Sequence, residues 1–198
     1  MLHRTAALLA LAAFATCNPA TLEAGPQKKP ATAHGPREVA IVAAGCFWGV
    51  EKWMDTDGVV DVEVGYEGGA SATTSYEKVS SGDTGHAESV RIVFDPTVIS
   101  YDQLLARFYK IHDPTTRNRQ GNDEGTQYRS AIFPTTEAQR TTAMLVTARV
   151  AKSGACKAPI TTTIETPTHW VKAEDYHQDY LVKHPGGYDN HFLRDVTF

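Results

Sequence analysis

Residues 39–54 read VAIVAAGCFWGVEKWM: an almost unbroken apolar run over 39–43, then Gly45-Cys46-Phe47-Trp48-Gly49, then a segment of helical character. A short continuous apolar run closed by glycine is expected to form a buried strand. Residues 47–54 follow as a helix, ended by Asp57-Gly58. Cys46 therefore stands at a strand-to-helix turn. The unpaired amides and the dipole of a helix start favour an anion. The Cys46 thiol is accordingly expected to have a lowered pKa and to act as a nucleophile. The flanking glycines permit a tight turn and close approach of a substrate. Phe47 and Trp48, beside the thiol, are expected to form an apolar cup for a small methyl-bearing group. The plain alternative is a core cysteine with two packing aromatics. The helix start and the adjacent glycines shift the balance modestly toward chemistry.

Working outward, residues 59–66 alternate, with Val60, Val62 and Val64 on one face, and predict a strand. A Gly- and Ser-rich loop follows over 67–74. Residues 89–94 alternate again and stop at Asp95-Pro96. Ser100 with Gln103 forms a capping box that opens a helix through 111. Residues 112–127 read as a long polar loop, a length that in a compact domain marks function or disorder. A strand is expected over 129–133, a helix over 136–152, a Thr-rich strand over 160–164 and a last helix over 173–183. Strands and helices mix without a strict βαβ rhythm. The fold class expected is α+β, a two-layer sandwich with a mixed β-sheet packed against helices.

The chain has 198 residues, 41% hydrophobic and 21% charged, enough to bury a core without disulfide staples. The net charge of −4 and the absence of a long basic run point away from nucleic acid. The eight histidines are scattered and the three cysteines unclustered, which argues against a metal site. At the start, His3 and Arg4 precede an apolar run over 6–15 that is too short to span a bilayer. Residues 1–17 read as a secretory signal peptide. Phe14-Ala15-Thr16-Cys17 resembles a bacterial lipoprotein box, which would lipidate Cys17; simple cleavage is the alternative. Residues 18–36 hold four of the ten prolines and read as a flexible linker, with the domain over 37–198. The expected location is the bacterial periplasm, free or anchored by lipid to the membrane.

Several motifs occur in order around Cys46. They are Gly45-Cys46-Phe47-Trp48-Gly49 with Glu51, Gly65-Tyr66-Glu67-Gly68-Gly69, and Tyr76 ahead of Ser81-Gly82-Asp83-Thr84-Gly85-His86-Ala87-Glu88. They continue with His112-Asp113-Pro114-Thr115-Thr116 through Asp123 to Gly125-Thr126-Gln127-Tyr128-Arg129-Ser130, and Tyr176-His177-Gln178 before Tyr180. This series closely resembles the A-type peptide methionine sulfoxide reductases over roughly residues 39–188. The resemblance implies a ferredoxin-like core and the thiol-dependent reduction of the S epimer of methionine sulfoxide, free or in proteins. It implies that Cys46 attacks the sulfoxide sulfur, Glu88 protonates the oxygen, Tyr76 and Tyr128 hydrogen-bond that oxygen, and Asp123 supports the site. Phe47 and Trp48 would hold the S-methyl group. It also implies no bound cofactor, with thioredoxin or another thiol as external reductant. A sulfoxide oxygen leaves poorly until protonated, so Glu88 needs a raised pKa, by desolvation or nearby negative charge. His86 is expected to be structural. A monomer is expected.

The tail departs from the family pattern. Many relatives carry a resolving cysteine after His-Pro-x-x-Tyr; here Tyr188-Asp189-Asn190-His191 contains none, and Asn190 stands where some relatives have the cysteine. Cys156, in an expected loop, is a candidate resolving thiol; a surface thiol without a role is the plainer reading, and direct attack by an external thiol is the other route. Two rival functions remain in view. A cysteine hydrolase with His86 as base would need no reductant, and a peptide-binding domain would carry an inert thiol.

Overall fold

β1 (Glu38–Ala44) enters the interior at Ala40 and stays there to its end, because nothing along it beyond Glu38 needs water. In the computed structural model, which describes residues 35–198, β1 pairs antiparallel with β3 (Ala87–Phe94) on one side and β6 (Ser130–Ile132) on the other. β2 (Val59–Glu67) lies outside β3, and β8 (Val171–Lys172) outside β2. β7 (Thr163–Ile164) joins β6 in parallel. The six-stranded order is β7-β6-β1-β3-β2-β8. Its inner part, β6-β1-β3-β2, together with α1 (Phe47–Met54) after β1 and α3 (Tyr101–Ile111) after β3, is the βαββαβ unit of ferredoxin-like folds. The short α2 (Tyr76–Ser80) is inserted between β2 and β3. The expected signal peptide, Cys17 and nearly all of the expected linker lie outside the described residues.

Strand periodicity sorts the core. Ala40, Val42 and Ala44 of β1 face the helices, where they meet Val90 and Ile92 of β3 and Leu105 and Phe108 of α3. Val146 and Val150 of α4 (Glu137–Lys152) close the same layer. Ile41 and Ala43 face the reverse side, in a smaller cluster with Phe133 under Trp170. The capping box is formed as expected: Ser100 Oγ accepts from the Gln103 amide, and Gln103 Oε1 from the Ser100 amide. Thr136 likewise accepts from the Gln139 amide at the start of α4.

Four expectations change. The even spacing of Val60, Val62 and Val64 is interrupted by a bulge: Val59 stands opposite Phe94, but Asp61 opposite Val93. The extra residue turns Val59 to the same side as Val62, Val64 and Tyr66, all packed into the helix-side core. The last helix shrinks to α5 (Tyr180–Lys183). Glu174 and Gln178, which would have lined it, instead hydrogen-bond Tyr66, Tyr76 and the Val64 backbone, and Asp179 is left-handed at φ 52°. The strand at 160–164 keeps only β7, since Thr161 donates to the carbonyls of Pro114 and Thr116. The long polar loop contains a hairpin, β4 (Arg119–Gln120) and β5 (Asp123–Glu124), turned at Gly121 with φ +58°.

The register puts the carboxyl ends of β1 and β2 and the amino ends of β3 and β6 on one edge, with Ala44 opposite Ser130 and Tyr66 opposite Glu88. The C-terminal tail crosses that edge. A Cβ at Gly49 would stand 2.3 Å from Nδ1 of the buried His191. Alanine ordinarily stabilises a helix interior by about 1 kcal/mol over glycine. Here Gly49→Ala should instead destabilise the fold by about 1–3 kcal/mol through overpacking, seen as a lower urea midpoint with an unchanged m-value.

Candidate active site

The turn after β1 is made by Gly45 at φ +101°, where a Cβ would stand 2.5 Å from that of Gln120. Only glycine fits, and the chain reaches Cys46 as the residue capping α1. The first free amide of that helix, on Phe47, donates to Glu88 Oε2 at 3.0 Å. Glu88, on the second residue of β3, is 2% exposed. Its pKa is pushed up to about 8, chiefly by burial, against the pull of the Phe47 amide and with help from the Asp123 charge. At neutral pH it is mostly an acid rather than a carboxylate.

The Cys46 thiol departs from expectation. It is buried, and its pKa is raised rather than lowered. Desolvation contributes most, followed by the Glu88 charge; the Trp48 and Gly49 amides pull the other way and Asp123 adds to the rise. The helix start acts in the predicted direction but is outweighed, because removing a thiolate from water costs more than two amides return.

The other predicted residues converge on this pair. Tyr76 and Tyr128 both have raised pKa values, first through burial and then through Glu88, with Asp123 and Cys46 also contributing. Tyr76 is fixed by its backbone, whose amide donates to Glu174 Oε1 at 2.9 Å, and by its ring, 4.5 Å from that of His177. Tyr128 ends a single 3-10 turn over Thr126–Tyr128, just before β6. Asp123, on β5, accepts from Tyr188 Oη at 3.0 Å and Asn190 Nδ2 at 2.8 Å.

Phe47 and Trp48 lie among further aromatic and polar side chains. The Trp48 ring stacks on Tyr180 at 3.8 Å and 11°, and its Nε1 donates to His177 Nδ1 at 3.1 Å. Burial lowers the His177 pKa, which keeps that nitrogen an acceptor. The Phe47 ring lies 5.0 Å from His177. Glu51, one turn along α1, is buried with its pKa raised to about 7 by desolvation, and accepts from the Asp179 amide at 2.9 Å, just before Tyr180. His177, Glu51 and Tyr180 stood inside quoted motifs without roles; only their place in those motifs signalled them. His86 bonds the Ser71 carbonyl at 3.1 Å and packs on Gly69, so its contacts go to the 67–74 loop. Cys46 and Cys156 are both free thiols. Cys156 is surrounded differently, with Arg194 and Asp113 the charges that act on it. Among the described residues no three His, Cys, Asp or Glu side chains gather as metal ligands.

A raised Glu88 pKa means that folding favours the protonated form. That stabilising contribution is fully present below the ordinary carboxyl value and is lost as pH rises through about 8. Glu88→Gln should therefore be more stable than the wild type at about pH 8, with a flatter fall in stability between about pH 5 and 8, in urea titrations. Glu51 contributes the slope that remains.

A buried thiol, a buried carboxyl bonded to the next residue's amide, two tyrosines and a stacked aromatic pair thus lie around the start of α1. The model of the family "Peptide methionine sulfoxide reductase" matches residues 38–196. The chain is 51% identical over 147 residues to the "Peptide methionine sulfoxide reductase MsrA" of Methanosarcina acetivorans, covering 74% of this chain and 78% of that protein. Among solved structures, the reduced form of Mxr1 from Saccharomyces cerevisiae matches with a TM-score of 0.77 and 37% identity, over 80% of this chain and 93% of that one. A structure of Mxr1 in complex with Trx2 matches with a TM-score of 0.55 and 24% identity, over 83% and 96%, a likeness of fold. Sequence and fold agree, and the chain belongs to the peptide methionine sulfoxide reductase family.

Proposed function

We propose that the Cys46–Glu88 pair carries out the thiol-dependent reduction of methionine sulfoxide, of the S epimer, in proteins or as the free amino acid. The hydrogen bond between the Phe47 amide and the Glu88 carboxyl carries the reading, because it sets a proton donor against the residue next to the thiol. The methyl group enters the cup of Phe47 and Trp48. The sulfoxide oxygen meets Glu88 and the Tyr76 and Tyr128 hydroxyls, with Asp123 supporting the site. The S–O bond is polarised with sulfur positive, which helps Cys46 lose its proton as the substrate arrives. Sγ attacks the sulfoxide sulfur while Glu88 protonates the oxygen and is restored by the proton from Cys46. The S–O bond breaks as the hydroxyl passes to Sγ, the Sγ–sulfur bond breaks with its electrons going to the substrate sulfur, and methionine leaves with Cys46 as a sulfenic acid. One thiol of the reductant then forms a mixed disulfide and releases water; a second frees Cys46 and leaves the reductant oxidised. No bound cofactor is required. The complex of the yeast protein with Trx2 supports a thioredoxin-like reductant for this chain.

The proposal extends to location. A signal peptide over residues 1–17 would send the domain to the periplasm, either free or held through a lipid on Cys17; the basic start and short apolar run support it, and the domain is proposed to act as a monomer. For resolution, direct attack by the external thiol is favoured over Cys156, whose charged neighbours are Arg194 and Asp113 rather than Glu88 and Asp123.

Glu88→Gln should lower kcat on the order of 10²–10⁴-fold, while alkylation after unfolding still finds Cys46 as a free thiol. Wild-type kcat/KM should fall as pH rises through about 8, where Glu88 loses its proton. Full activity in Glu88→Gln would remove the acid from the mechanism. A single turnover without reductant, followed by peptide masses, tests the rest. One methionine per enzyme, an oxidised Cys46 peptide and an unmodified Cys156 peptide are expected; a Cys46–Cys156 disulfide would make Cys156 the resolving thiol. An unmodified mature N-terminus beyond Cys17 in the same spectrum would exclude the anchor.

A further inference from the structure

The last residues of the domain reach the site without supplying a thiol, since no cysteine follows Cys156. What they supply instead is an amide. Asn190 Nδ2 lies 2.8 Å from Asp123 Oδ2, 2.8 Å from the Gln120 carbonyl and 3.1 Å from Tyr188 Oη. Tyr188 in turn donates to Asp123 Oδ1 at 3.0 Å. Both carboxylate oxygens of Asp123 are thus held from the tail, and the ring Asp123–Asn190–Tyr188 is closed. The Gly121 turn admits the tail: a Cβ there would stand 3.0 Å from Asn190 Nδ2. Asn190 Oδ1 is buried with no hydrogen-bond partner. Flipping the amide would set that oxygen against the Asp123 carboxylate, so only one orientation is acceptable. An unsatisfied acceptor is tolerated so that the donor can face Asp123.

We propose that Asn190 is a positioning residue, which fixes the Asp123 carboxylate beside the thiol and its acid by clamping the tail to the β4–β5 hairpin. The inference rests on the proposed roles of Cys46 and Glu88. It has a consequence that packing alone would not have. Asp123 raises the pKa of both Glu88 and Cys46. The groups facing Glu88 are Cys46 and the Phe47 amide from α1, Tyr66 from β2, Tyr76 from α2, Tyr128 from the 3-10 turn and Asp123 from β5. The tyrosines and Cys46 have raised pKa values and stay neutral, and His191, which also feels Asp123, is held neutral by burial. Asp123 is therefore the neighbouring charge that adds to burial in raising the Glu88 pKa. An Asp123 released from Asn190 should leave Glu88 more acidic.

The test uses the full-length chain with Asn190→Ala, which removes the amide, and Asn190→Leu, which removes it but keeps the volume. The pH profile of kcat/KM is measured with a methionine sulfoxide peptide and dithiothreitol, alongside thermal melts. Both variants should lose about tenfold in kcat/KM through a displaced carboxylate, and in both the alkaline limb should move to lower pH. Limbs that stay at the wild-type position would overturn the role of Asn190. So would a limb that moves in Asn190→Ala but not in Asn190→Leu, which would make Asn190 a filler of space. A wild type that reduces no methionine sulfoxide would sink the reading of Cys46 and Glu88 instead; an active wild type with unmoved variants sinks only Asn190.

Discussion

Everything at the open edge of the sheet is arranged around one hydrogen bond, from the Phe47 amide to the Glu88 carboxyl. A helix start has amides that need acceptors, and a buried carboxyl needs a donor. Meeting both needs at once fixes α1 to β3 and sets an acid beside the residue that caps the helix. The same bond opposes protonation of Glu88, since it stabilises the anion. Burial at 2% exposure outweighs it, and the carboxyl titrates near 8. The amide fixes where the Glu88 carboxyl stands, and burial keeps its proton on.

Much of this was legible in the sequence. Gly45 announced a turn that only glycine can make, and the structure places it at φ +101° with Gln120 pressed against it. Ser100 and Gln103 specified a helix start through local chemistry, and β1 declared its burial by composition. The resemblance placed Glu88, Tyr76, Tyr128 and Asp123 in one site, and in the structure Glu88 and Asp123 act electrostatically on both tyrosines. The failures share a physical cause, namely long-range partners. Residues 173–179 look helical in isolation, yet Glu174 and Gln178 find better acceptors and donors on β2 and α2. The thiol was read from its helix start alone, whereas its pKa is decided by how much protein covers it. Nothing local marks Tyr180 as the face on which Trp48 stacks.

The segment after residue 173 thus acts as a second layer behind the site. His177 holds the edge of the indole and Tyr180 its face, while Glu174 holds Tyr76 by its backbone. Glu51 connects that layer back to α1 through the Asp179 amide. Rigid aromatic walls need such support, because a large side chain lining a cavity otherwise rotates into it.

The bulge in β2 has a bearing on how this domain can change in length. Between Val62 and Tyr66 each side chain alternates strictly, so Tyr66 faces the helices only because the count from the bulge is even. One residue gained or lost there would exchange the two faces of the strand and send Tyr66, with its bond to Glu174, to the wrong side. At Val59 and Val60 the ladder already contains an unpaired residue and has slack. The strand therefore behaves as a ratchet with one free tooth: insertions and deletions can be absorbed at its entry but only in pairs nearer the thiol, so the lineage's length variation should collect at the end of β2 remote from the chemistry.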